Sequence, residues 1–404
     1  MRFSFIHTAD IHLGRAFSDI DFELSDKQAG MLKSAHEQAL EELCDFAVRK
    51  KVDFILIAGD TFDDCEHDLH SRLTLYKSLK RLEEENISVF MVCGNHDPQT
   101  SYSNELEFKN SSKIKVFGVN CKSEPTEVVL NDVPVAKIYP FGFKTNQCEV
   151  SPCEFLSKAI DKNSFNIGLI HCDMTSDKNV YAPCSEKELL ELDYDYYALG
   201  HIHKPFVKDK FVYSGTIQGR SRKDVGEHGF RLITVENNQI LSNEFVPCDK
   251  VRYFTLDYQI AEDDTPISTI ENLTEILTQI AQNCDLSIVH LTLKGVCKYA
   301  KQDLNELKRV LSSENVIVNE IIDQTIPNAD EDAILSSGGM LEQIVIGMKD
   351  DEILANVLED TKKEISETLK LVSEFDDNEI LELAKTELKY ICAEIYGNSE
   401  GTDE

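Results

Sequence analysis

The chain has 404 residues, of which 42% are hydrophobic and 28% are charged, a composition typical of a globular protein with more than one domain. Its formal net charge of −32 argues against a large non-specific nucleic-acid surface but does not exclude an enzyme that acts on nucleic acid. It contains no run of the roughly 18 apolar residues that span a membrane, and Arg2 leads into a strand-like segment instead of a signal peptide. We therefore expect a cytoplasmic protein without a membrane partner, whose twelve scattered cysteines are reduced.

From residue 1 to about 250, apolar runs of strand length alternate with helical patterns. The early part alternates strands with helices and the later part is mostly strands, which predicts an α/β fold of two packed sheets flanked by helices. The predicted strands are 4–8, 54–57, 88–92, 115–118, 135–139, 167–171, 196–199, 211–213, 230–235 and 239–245, and the predicted helices are 26–50 and 70–84.

The character of the sequence changes near residue 251. An alternating apolar pattern at 289–293, between helical stretches at 267–283 and 303–312, predicts a small α+β domain over 251–330. Residues 331–397 are predicted to form helices that are acidic on one side and apolar on the other, and 398–404 to form a disordered tail. These helices would either pack on their own domain or dock a partner helix. The main domain would then be 1–250.

Metal-ligand side chains follow successive apolar strands in the main domain. A strand-end aspartate is usually a turn residue and a lone histidine such as His171 is usually a core residue, so each segment alone is a weak signal. Five such segments in order are a strong one. The segments are Asp10-Ile11-His12, Gly59-Asp60 with Asp63, Gly94-Asn95-His96-Asp97, His171, and Gly200-His201-Ile202-His203.

These motifs resemble the calcineurin-like metallophosphoesterase family, whose pattern is DxH, GDxxD, GNHD, H and GHxH, over residues 1 to about 235. Within that family the chain is most similar to the SbcD-type DNA repair exonucleases, and nearest to their bacterial YhaO-like branch. This placement depends on the segment YSGTIQGR at 213–220 and on the small second domain. The resemblance implies a two-sheet metallophosphoesterase sandwich flanked by helices, with a small α+β cap domain and a C-terminal helical segment.

The resemblance also implies two divalent metal ions, with manganese favoured, and oxygen and imidazole groups suit such ions. The implied ligands of the first ion are Asp10, His12 and His203, those of the second are Asn95, His171 and His201, and Asp60 bridges the two.

Two ions roughly 3.5–4 Å apart would clamp a phosphate and lower the pKa of a bridging water, and the resulting hydroxide would attack phosphorus. His96 is the predicted acid that protonates the leaving oxygen, and Asp97 is predicted to hold its tautomer. Asp63 occupies a position where the related double-strand-break nucleases tend to have histidine. We expect it to lie behind the ligands or to cap a helix, and we assign it no catalytic role.

The most basic stretch of the chain, 204–223, begins directly after His203. A solvated basic loop and a contact with a nucleic-acid backbone are both consistent with it. Arg220 is the best single candidate for such a contact, followed by Arg222 and Lys204.

The leading prediction is therefore a two-metal phosphodiesterase that acts on DNA as a repair exonuclease. The resemblance implies a separate SMC-like coiled-coil ATPase partner, since this chain has no GxxxxGK[ST] segment, and a possible homodimer formed through early helices. The alternative is a phosphatase or small-molecule phosphodiesterase that uses the same site. A non-enzymatic adaptor ranks last, because no ligand position is lost.

Overall fold

The structure is a computed structural model that describes residues 1–63, 69–99, 108–117, 125–159, 161, 163–175, 179–261, 263–297, 303–327 and 346–347. The predicted helical segment 331–397, apart from 346–347, and the predicted tail 398–404 lie outside the described residues. Among the described residues, no helix is long and apolar enough to cross a membrane.

The described strands and helices with assigned bounds lie between residues 2 and 327. The strands are β1 (Arg2–Thr8), β2 (Phe54–Ala58), β3 (Ser88–Val92), β4 (Ile114–Val116), β5 (Thr126–Leu130), β6 (Val133–Phe141), β7 (Phe165–His171), β8 (Tyr196–Gly200), β9 (Phe206–Lys208), β10 (Phe211–Tyr213), β11 (Gly229–Glu236), β12 (Gln239–Pro247), β13 (Val251–Ile260), β14 (Leu286–Cys297), β15 (Val316–Asp323) and β16 (Ile326–Pro327). The helices are α1 (Asp26–Lys50), α2 (Leu69–Glu84), α3 (Glu186–Leu190), α4 (Pro266–Ile280) and α5 (Leu304–Leu311), with a 3-10 turn at Pro152–Glu154.

Two six-stranded sheets form the main part of the fold. The first has the order β12-β11-β1-β2-β3-β4, and the second has the order β5-β6-β7-β8-β10-β9. Strands β1 to β4 run parallel to one another, as do β6, β7, β8 and β10. Strands β11, β12, β5 and β9 pair antiparallel to their neighbours. Because parallel strands end at the same edge of a sheet, the residues that follow them are brought together.

The core between the two sheets is aromatic and aliphatic. Phe5 and Phe54 stack with ring centroids 4.9 Å apart, and Tyr196 from the second sheet meets Phe5 edge-on at 5.4 Å. The opposite face of the first sheet packs against α1 and α2 through residues such as Leu43 and Leu79. Strand β2 is buried along its whole length, as its uninterrupted apolar sequence predicts.

Helix α1 has clear sequence signals at both ends. The Ser25 side chain accepts from the Gln28 backbone while the Gln28 side chain reaches back to the Ser25 backbone, which is a capping box. Lys51 ends the helix in a left-handed conformation, with its N–H directed at the carbonyls of Ala47 and Val48. The predicted bounds of 26–50 coincide with the observed ones.

A third sheet, β13-β14-β15 with β16 paired to β14, follows the first two. The chain divides into two compact units, and the first consists of 1–254, 281–288 and 314–317. The second takes 255–280, 289–313 and the described residues from 318 onward. The chain therefore crosses between the units several times, whereas the sequence predicted consecutive segments at 1–250, 251–330, 331–397 and 398–404. Strands β5 and β9 and helix α3 were not predicted.

Candidate metal centre

The five motifs lie at the carboxyl ends of the strands, as predicted. Asp10 and His12 follow β1, Asp60 follows β2, and Asn95 follows β3 in the first sheet. His171 ends β7, and His201 and His203 come after β8 in the second sheet. Of these seven residues, all but His201 and His203 are buried, and those two are half-buried. The structure thus brings together every residue that was predicted to bind a metal ion.

Four of these seven residues adopt positive backbone φ angles, a conformation that non-glycine residues rarely use. The angles are 51° for Asp10 and His12, 50° for Asp60 and 103° for His201. Backbone hydrogen bonds hold the first two loops in this form, from Asp10 N to Gly59 O at 3.0 Å and from His12 N to Asp60 O at 3.1 Å. Such strain persists only where the surroundings impose it, and it is concentrated at functional sites.

Glycines let neighbouring ligand loops, within the first sheet and between the two sheets, approach closely. A Cβ on Gly94 would lie 2.0 Å from Asp60 Oδ1, and one on Gly200 would lie 1.9 Å from the Ala58 carbonyl oxygen. Both positions therefore exclude every other residue without a shift of the backbone. This explains the glycine before Asn95 and the glycine before His201.

The first set of donors consists of Asp10, His12 and His203, which we call the His12 group; their donor atoms lie within 4.8 Å of one another. His12 Nε2 and His203 Nε2 are 3.1 Å apart. Both oxygens of Asp10 accept from the backbone N–H of His201, at 3.0 and 3.1 Å. These contacts fix the three side chains around one point.

The second set consists of Asn95, His171 and His201, which we call the His171 group. Asn95 Oδ1 lies 3.0 Å from His171 Nε2 and 3.0 Å from His201 Nδ1. His171 Nδ1 donates to the Ala58 carbonyl at 2.8 Å, and the ring of Phe143 meets the His171 ring edge-on at 5.4 Å. The structure thus orients His171 with a main-chain atom and an aromatic neighbour.

Asp60 lies between the two groups. Its Oδ2 is 3.9 Å from His12 Nε2 and 3.5 Å from His171 Nε2, while its Oδ1 accepts from the His96 backbone N–H at 2.8 Å. Burial raises the pKa of Asp60 to about 6 and that of Asp10 well above its ordinary value. Buried carboxylates whose pKa is raised in this way need a compensating positive charge to remain ionised.

The chemistry of the donors fits divalent metal ions. A carbonyl oxygen accepts only, so His171 Nδ1 carries its proton toward Ala58; His12 Nδ1, 3.1 Å from Asp63 Oδ1, carries its proton in the same way. Burial lowers the pKa of His171 to about 3 and that of His12 well below normal, so both rings are neutral. The lone pairs of both Nε2 atoms therefore converge on Asp60 Oδ2 with no proton between them, which a bound cation would stabilise.

The structure gives Asp97 a different position from the one expected. Its Oδ1 accepts from Gly94 N at 2.7 Å, and its Oδ2 accepts from Thr61 N at 2.9 Å and Phe62 N at 3.4 Å. Burial, followed by the charge of Asp60, raises its pKa to about 7. Asp97 therefore ties the loop after β3 to the loop after β2, and these contacts do not involve the His96 ring; its role in holding the His96 tautomer stays a prediction.

The carboxylate beside His96 is Asp63. Its Oδ1 lies 3.2 Å from His96 Nδ1 and 3.1 Å from His12 Nδ1, and Arg15 contacts both of its oxygens. Partial burial tends to raise the pKa of Asp63, but the hydrogen bonds to His12, His96 and Arg15 outweigh it and bring this pKa well below the ordinary value. The expectation that Asp63 lies behind a ligand agrees with its contact with His12.

The three predicted basic residues lie in different environments. Arg220 has a side chain only 15% exposed, and its Nη1 is 3.5 Å from Asp63 Oδ1. Lys204 and Arg222 are exposed. The sequence analysis missed Arg15, three residues after His12, because an isolated arginine carries no motif. It also missed Thr216, whose hydroxyl donates to the Asp10 carbonyl at 2.6 Å.

Comparison with known proteins agrees with this geometry. The family described as calcineurin-like phosphoesterase matches residues 3–205. The chain is 28% identical over 298 residues, 72% of each chain, to a protein of Bacillus subtilis (strain 168) described as the uncharacterized metallophosphoesterase YhaO. It is 29% identical over 272 residues, 61% of this chain and 70% of the relative, to a protein of Staphylococcus epidermidis (strain ATCC 12228 / FDA PCI 1200) described as a subunit of the nuclease SbcCD.

A crystal structure of a dimetal phosphatase from Danio rerio, 12% identical, covers 61% of this chain and 97% of its own with a TM-score of 0.35, too low to bear on the fold. The family match spans half of this chain and includes the segments that supply all of the converging donors. The predicted family and two-sheet fold are confirmed: this chain belongs to the calcineurin-like metallophosphoesterase family, whose members hydrolyse phosphate esters.

Proposed function

We propose that the protein is a metal-dependent phosphodiesterase that cleaves DNA as a repair exonuclease, with two divalent ions, manganese in particular, as its cofactor. The observation that carries the proposal is the pair of donor groups that share Asp60 Oδ2, 3.9 Å from His12 Nε2 and 3.5 Å from His171 Nε2. Similarity to a relative described as part of a nuclease supports the choice of DNA.

The His12 group would hold one ion, the His171 group the other, and Asp60 both. When bound, the ions would act as Lewis acids toward the phosphate and lower the pKa of the attacking water. The protein's own contribution is to orient these ligands and to place His96, whose side chain is 25% exposed, at the edge of the site. His96 would protonate the leaving oxygen, a task for which a partly accessible imidazole is suited.

The proposed path of DNA follows the positive charge. Arg220 lies inside the site beside Asp63, and the exposed Lys204 and Arg222 lie on the same basic stretch. Arg220 would contact the phosphate near the scissile bond, and the other two would contact flanking phosphates. Such contacts supply affinity that falls as salt rises, without reading the sequence of bases.

We also propose that the protein is located in the cytoplasm and acts together with protein partners. The nuclease relative is described as one component of SbcCD, which supports a separate SMC-like coiled-coil ATPase as partner. Its docking segment would be 331–397, and deletion of 340–404 should abolish the complex while the metal content stays unchanged. A complex that survives the deletion contradicts this part. A homodimer through α2, where Leu69 and Leu73 are 80% and 44% exposed, is a further part of the proposal.

The decisive experiment is an assay on end-labelled DNA with manganese, in which wild type is compared with His96→Ala and metal content is measured in both. We expect cleavage by the wild type and a loss of about 10² to 10⁴-fold in a variant that still holds two ions. His70→Ala is the matched control, because His70 is exposed on α2 and its ring lies 3.0 Å from Glu37, away from the metal ligands. If the fully metallated wild type, with its ATPase partner added, leaves DNA intact, the nuclease proposal is wrong.

A second candidate is a phosphatase or small-molecule phosphodiesterase that uses the same donors. The net charge of −32 favours it, because a nuclease acting alone usually carries more basic surface. Assays of the wild type on phosphate monoesters, small diesters and oligonucleotides separate the two candidates. Preference for a monoester or a small diester over DNA would select this second function.

A further inference from the structure

We propose that Tyr181 is a substrate-contact residue that stacks on an unpaired base of single-stranded DNA, beside the phosphodiester held at the metal centre. The inference rests on the proposed function and deepens it, because it names the form of DNA that the site accepts. Tyr181 lies between β7 and α3. Its ring centroid is 4.8 Å from that of His201, and the two rings are tilted by 33°. An aromatic ring thus packs directly against a member of the His171 group.

The exposure of Tyr181 distinguishes it from the other aromatic neighbour of this group. Phe143 meets the His171 ring edge-on and is fully buried, as expected of a ring that only supports a ligand. Tyr181 is 36% exposed although it also contacts a ligand. The main chain of His201 is held without it, since its N–H donates to both oxygens of Asp10. Support of His201 therefore does not account for a large aromatic ring that remains in contact with solvent.

The backbone on both sides of Tyr181 is fixed by hydrogen bonds. Cys148 N donates to the Val180 carbonyl at 2.8 Å, and Ala182 N donates to the Cys148 carbonyl at 2.7 Å. The carbonyl of Tyr181 itself accepts from Asp173 N at 2.9 Å. The ring is thus presented by a segment that is already ordered, which reduces the entropy lost when a substrate binds to it.

A base is the part of the substrate that such a ring can bind. Every phosphodiester of DNA has a nucleoside on each side, so a base lies near the rim of the site when the scissile phosphate is at the ions. Each base presents a π-face, and stacking on an aromatic side chain binds it without reading its identity. Inside a duplex both faces are covered by neighbouring base pairs. Stacking on Tyr181 therefore favours unpaired DNA over paired DNA.

The charge of the chain strengthens this argument. Contacts with phosphates depend on basic residues and weaken as the salt concentration rises. With a net charge of −32, the chain is poorly suited to hold DNA by its phosphates alone. Stacking joins uncharged rings, and it therefore adds affinity that salt reduces far less.

The first test compares two single-stranded oligonucleotides of equal length at saturating manganese, one with all its bases and one abasic throughout. We expect Tyr181→Leu to lower kcat/KM about 10- to 100-fold on the first and less than about threefold on the second, because only the first can stack. Tyr181→Phe keeps the ring and should stay within about threefold of the wild type on both. Each variant should still hold two ions.

The outcomes separate stacking from support of a ligand. Equal losses on both oligonucleotides would overturn the proposal and leave Tyr181 as a support of His201. The wild type should also cleave the single strand faster than a blunt duplex of the same sequence, and Tyr181→Leu should narrow this difference. A difference that the substitution leaves unchanged contradicts the proposal as well.

A second measurement needs no cleavage. The chain contains no tryptophan, so Tyr181→Trp introduces a single indole whose fluorescence a stacked base quenches. In a His96→Ala background, which keeps the DNA intact, we expect quenching by the oligonucleotide with bases and little by the abasic one. Tyr76→Trp is the matched control, because Tyr76 is 38% exposed on α2 and stacks on Phe108, so its fluorescence should not change.

The stacking role and the nuclease function fail in different ways. DNA that binds, as detected by the anisotropy of an attached dye, but leaves the fluorescence of Tyr181→Trp unchanged contradicts the stacking role even if the wild type cleaves DNA. Quenching by DNA that the metallated wild type and its partner leave intact contradicts the nuclease function alone. DNA that does not bind contradicts both.

Discussion

The two ligand groups differ in what surrounds them. The His12 group is held by charges: Asp63 binds His12 Nδ1, and Asp224 lies 3.9 Å from His203 Nδ1. The His171 group is held by neutral atoms: the Ala58 carbonyl binds His171 Nδ1, and Tyr181 packs against His201 with ring centroids 4.8 Å apart.

This difference indicates which neighbours of the ligands can be removed by a single substitution. A side-chain carboxylate can be neutralised by a single substitution, whereas a main-chain carbonyl cannot be removed in this way. The His12 group should therefore respond to changes of neighbouring charge, and the His171 group should resist them. The affinity of the two ions should accordingly depend on different residues.

The largest effect should come from the residue that both groups share. Asp60→Ala removes the bridging carboxylate, and we expect loss of both ions and a fall in kcat of more than about 10³-fold, since losing an outer partner alone typically costs 10- to 100-fold. Metal analysis together with kinetics checks it. Asp53→Ala is the matched control, because Asp53 is a half-buried acid at the other end of β2 that accepts from Ser4 N at 2.8 Å. Retention of one tightly bound ion by Asp60→Ala would contradict the shared position.

The next effect tests the asymmetry itself. Asp63→Asn should lower the affinity for one of the two ions by about 10- to 100-fold and leave the affinity for the other unchanged, because only His12 loses its partner. Titration against a competing chelator dye measures both affinities. For comparison, Asp173→Asn changes a carboxylate on the His171 side that binds Thr175 and Asn179, and it should alter either affinity less than about threefold. Equal weakening of both ions by Asp63→Asn would remove the distinction drawn above.

A smaller effect concerns the positive charge on the His12 side. Arg220→Gln should lower kcat/KM for a phosphodiester about tenfold, since a hydrogen bond to a charged group is typically worth about 1.5–3 kcal/mol. Arg222→Gln, on the exposed part of the same stretch, should change kcat/KM for a small phosphodiester by less than about threefold. It should also reduce the salt dependence of DNA binding. Identical effects of both variants on both substrates would show that burial of Arg220 has no bearing on catalysis.

The smallest effect should come from removing a single neutral hydrogen bond, either beside the His12 group or beside the His171 group. Thr216 Oγ1 donates to the Asp10 carbonyl at 2.6 Å, and Asn146 Nδ2 donates to the Asn95 carbonyl at 3.2 Å. Thr216 is buried and Asn146 is exposed, so Thr216→Val should lower the free energy of unfolding by about 1–3 kcal/mol and Asn146→Ala by less than about 1 kcal/mol. Denaturant unfolding of both variants measures the difference, and the reverse order would contradict the argument from burial.

The sequence predicted the ligand positions because strand ends and metal-ligand residues are local features. It did not predict that Asp63 lies near His96, because contacts between distant segments leave no local trace. Asp97 is adjacent to His96 in the chain, yet its carboxylate turns into the backbone of the neighbouring loop. Asp63 Oδ1 lies 3.2 Å from His96 Nδ1 and also contacts His12, 51 positions away in the sequence.

The same limit applies to the fold. Helix α1 and strand β2 were predicted correctly because the apolar residues of α1 recur at a helical spacing and β2 is apolar and buried along its whole length. Strand β9 was missed because its three residues are all exposed and carry no alternation. The repeated crossing between the two compact units was missed because a unit is defined by contacts between distant parts of the chain.

The glycines at 94 and 200 leave less space than a methyl group requires, with Asp60 and Ala58 as the obstructing neighbours. Close contacts at these two glycines thus set the spacing between the ligand loops. In a laboratory selection for new substrates, surviving clones should retain both glycines and accumulate changes at exposed positions such as 204 and 222. The reacting centre would stay constant while its periphery diversifies.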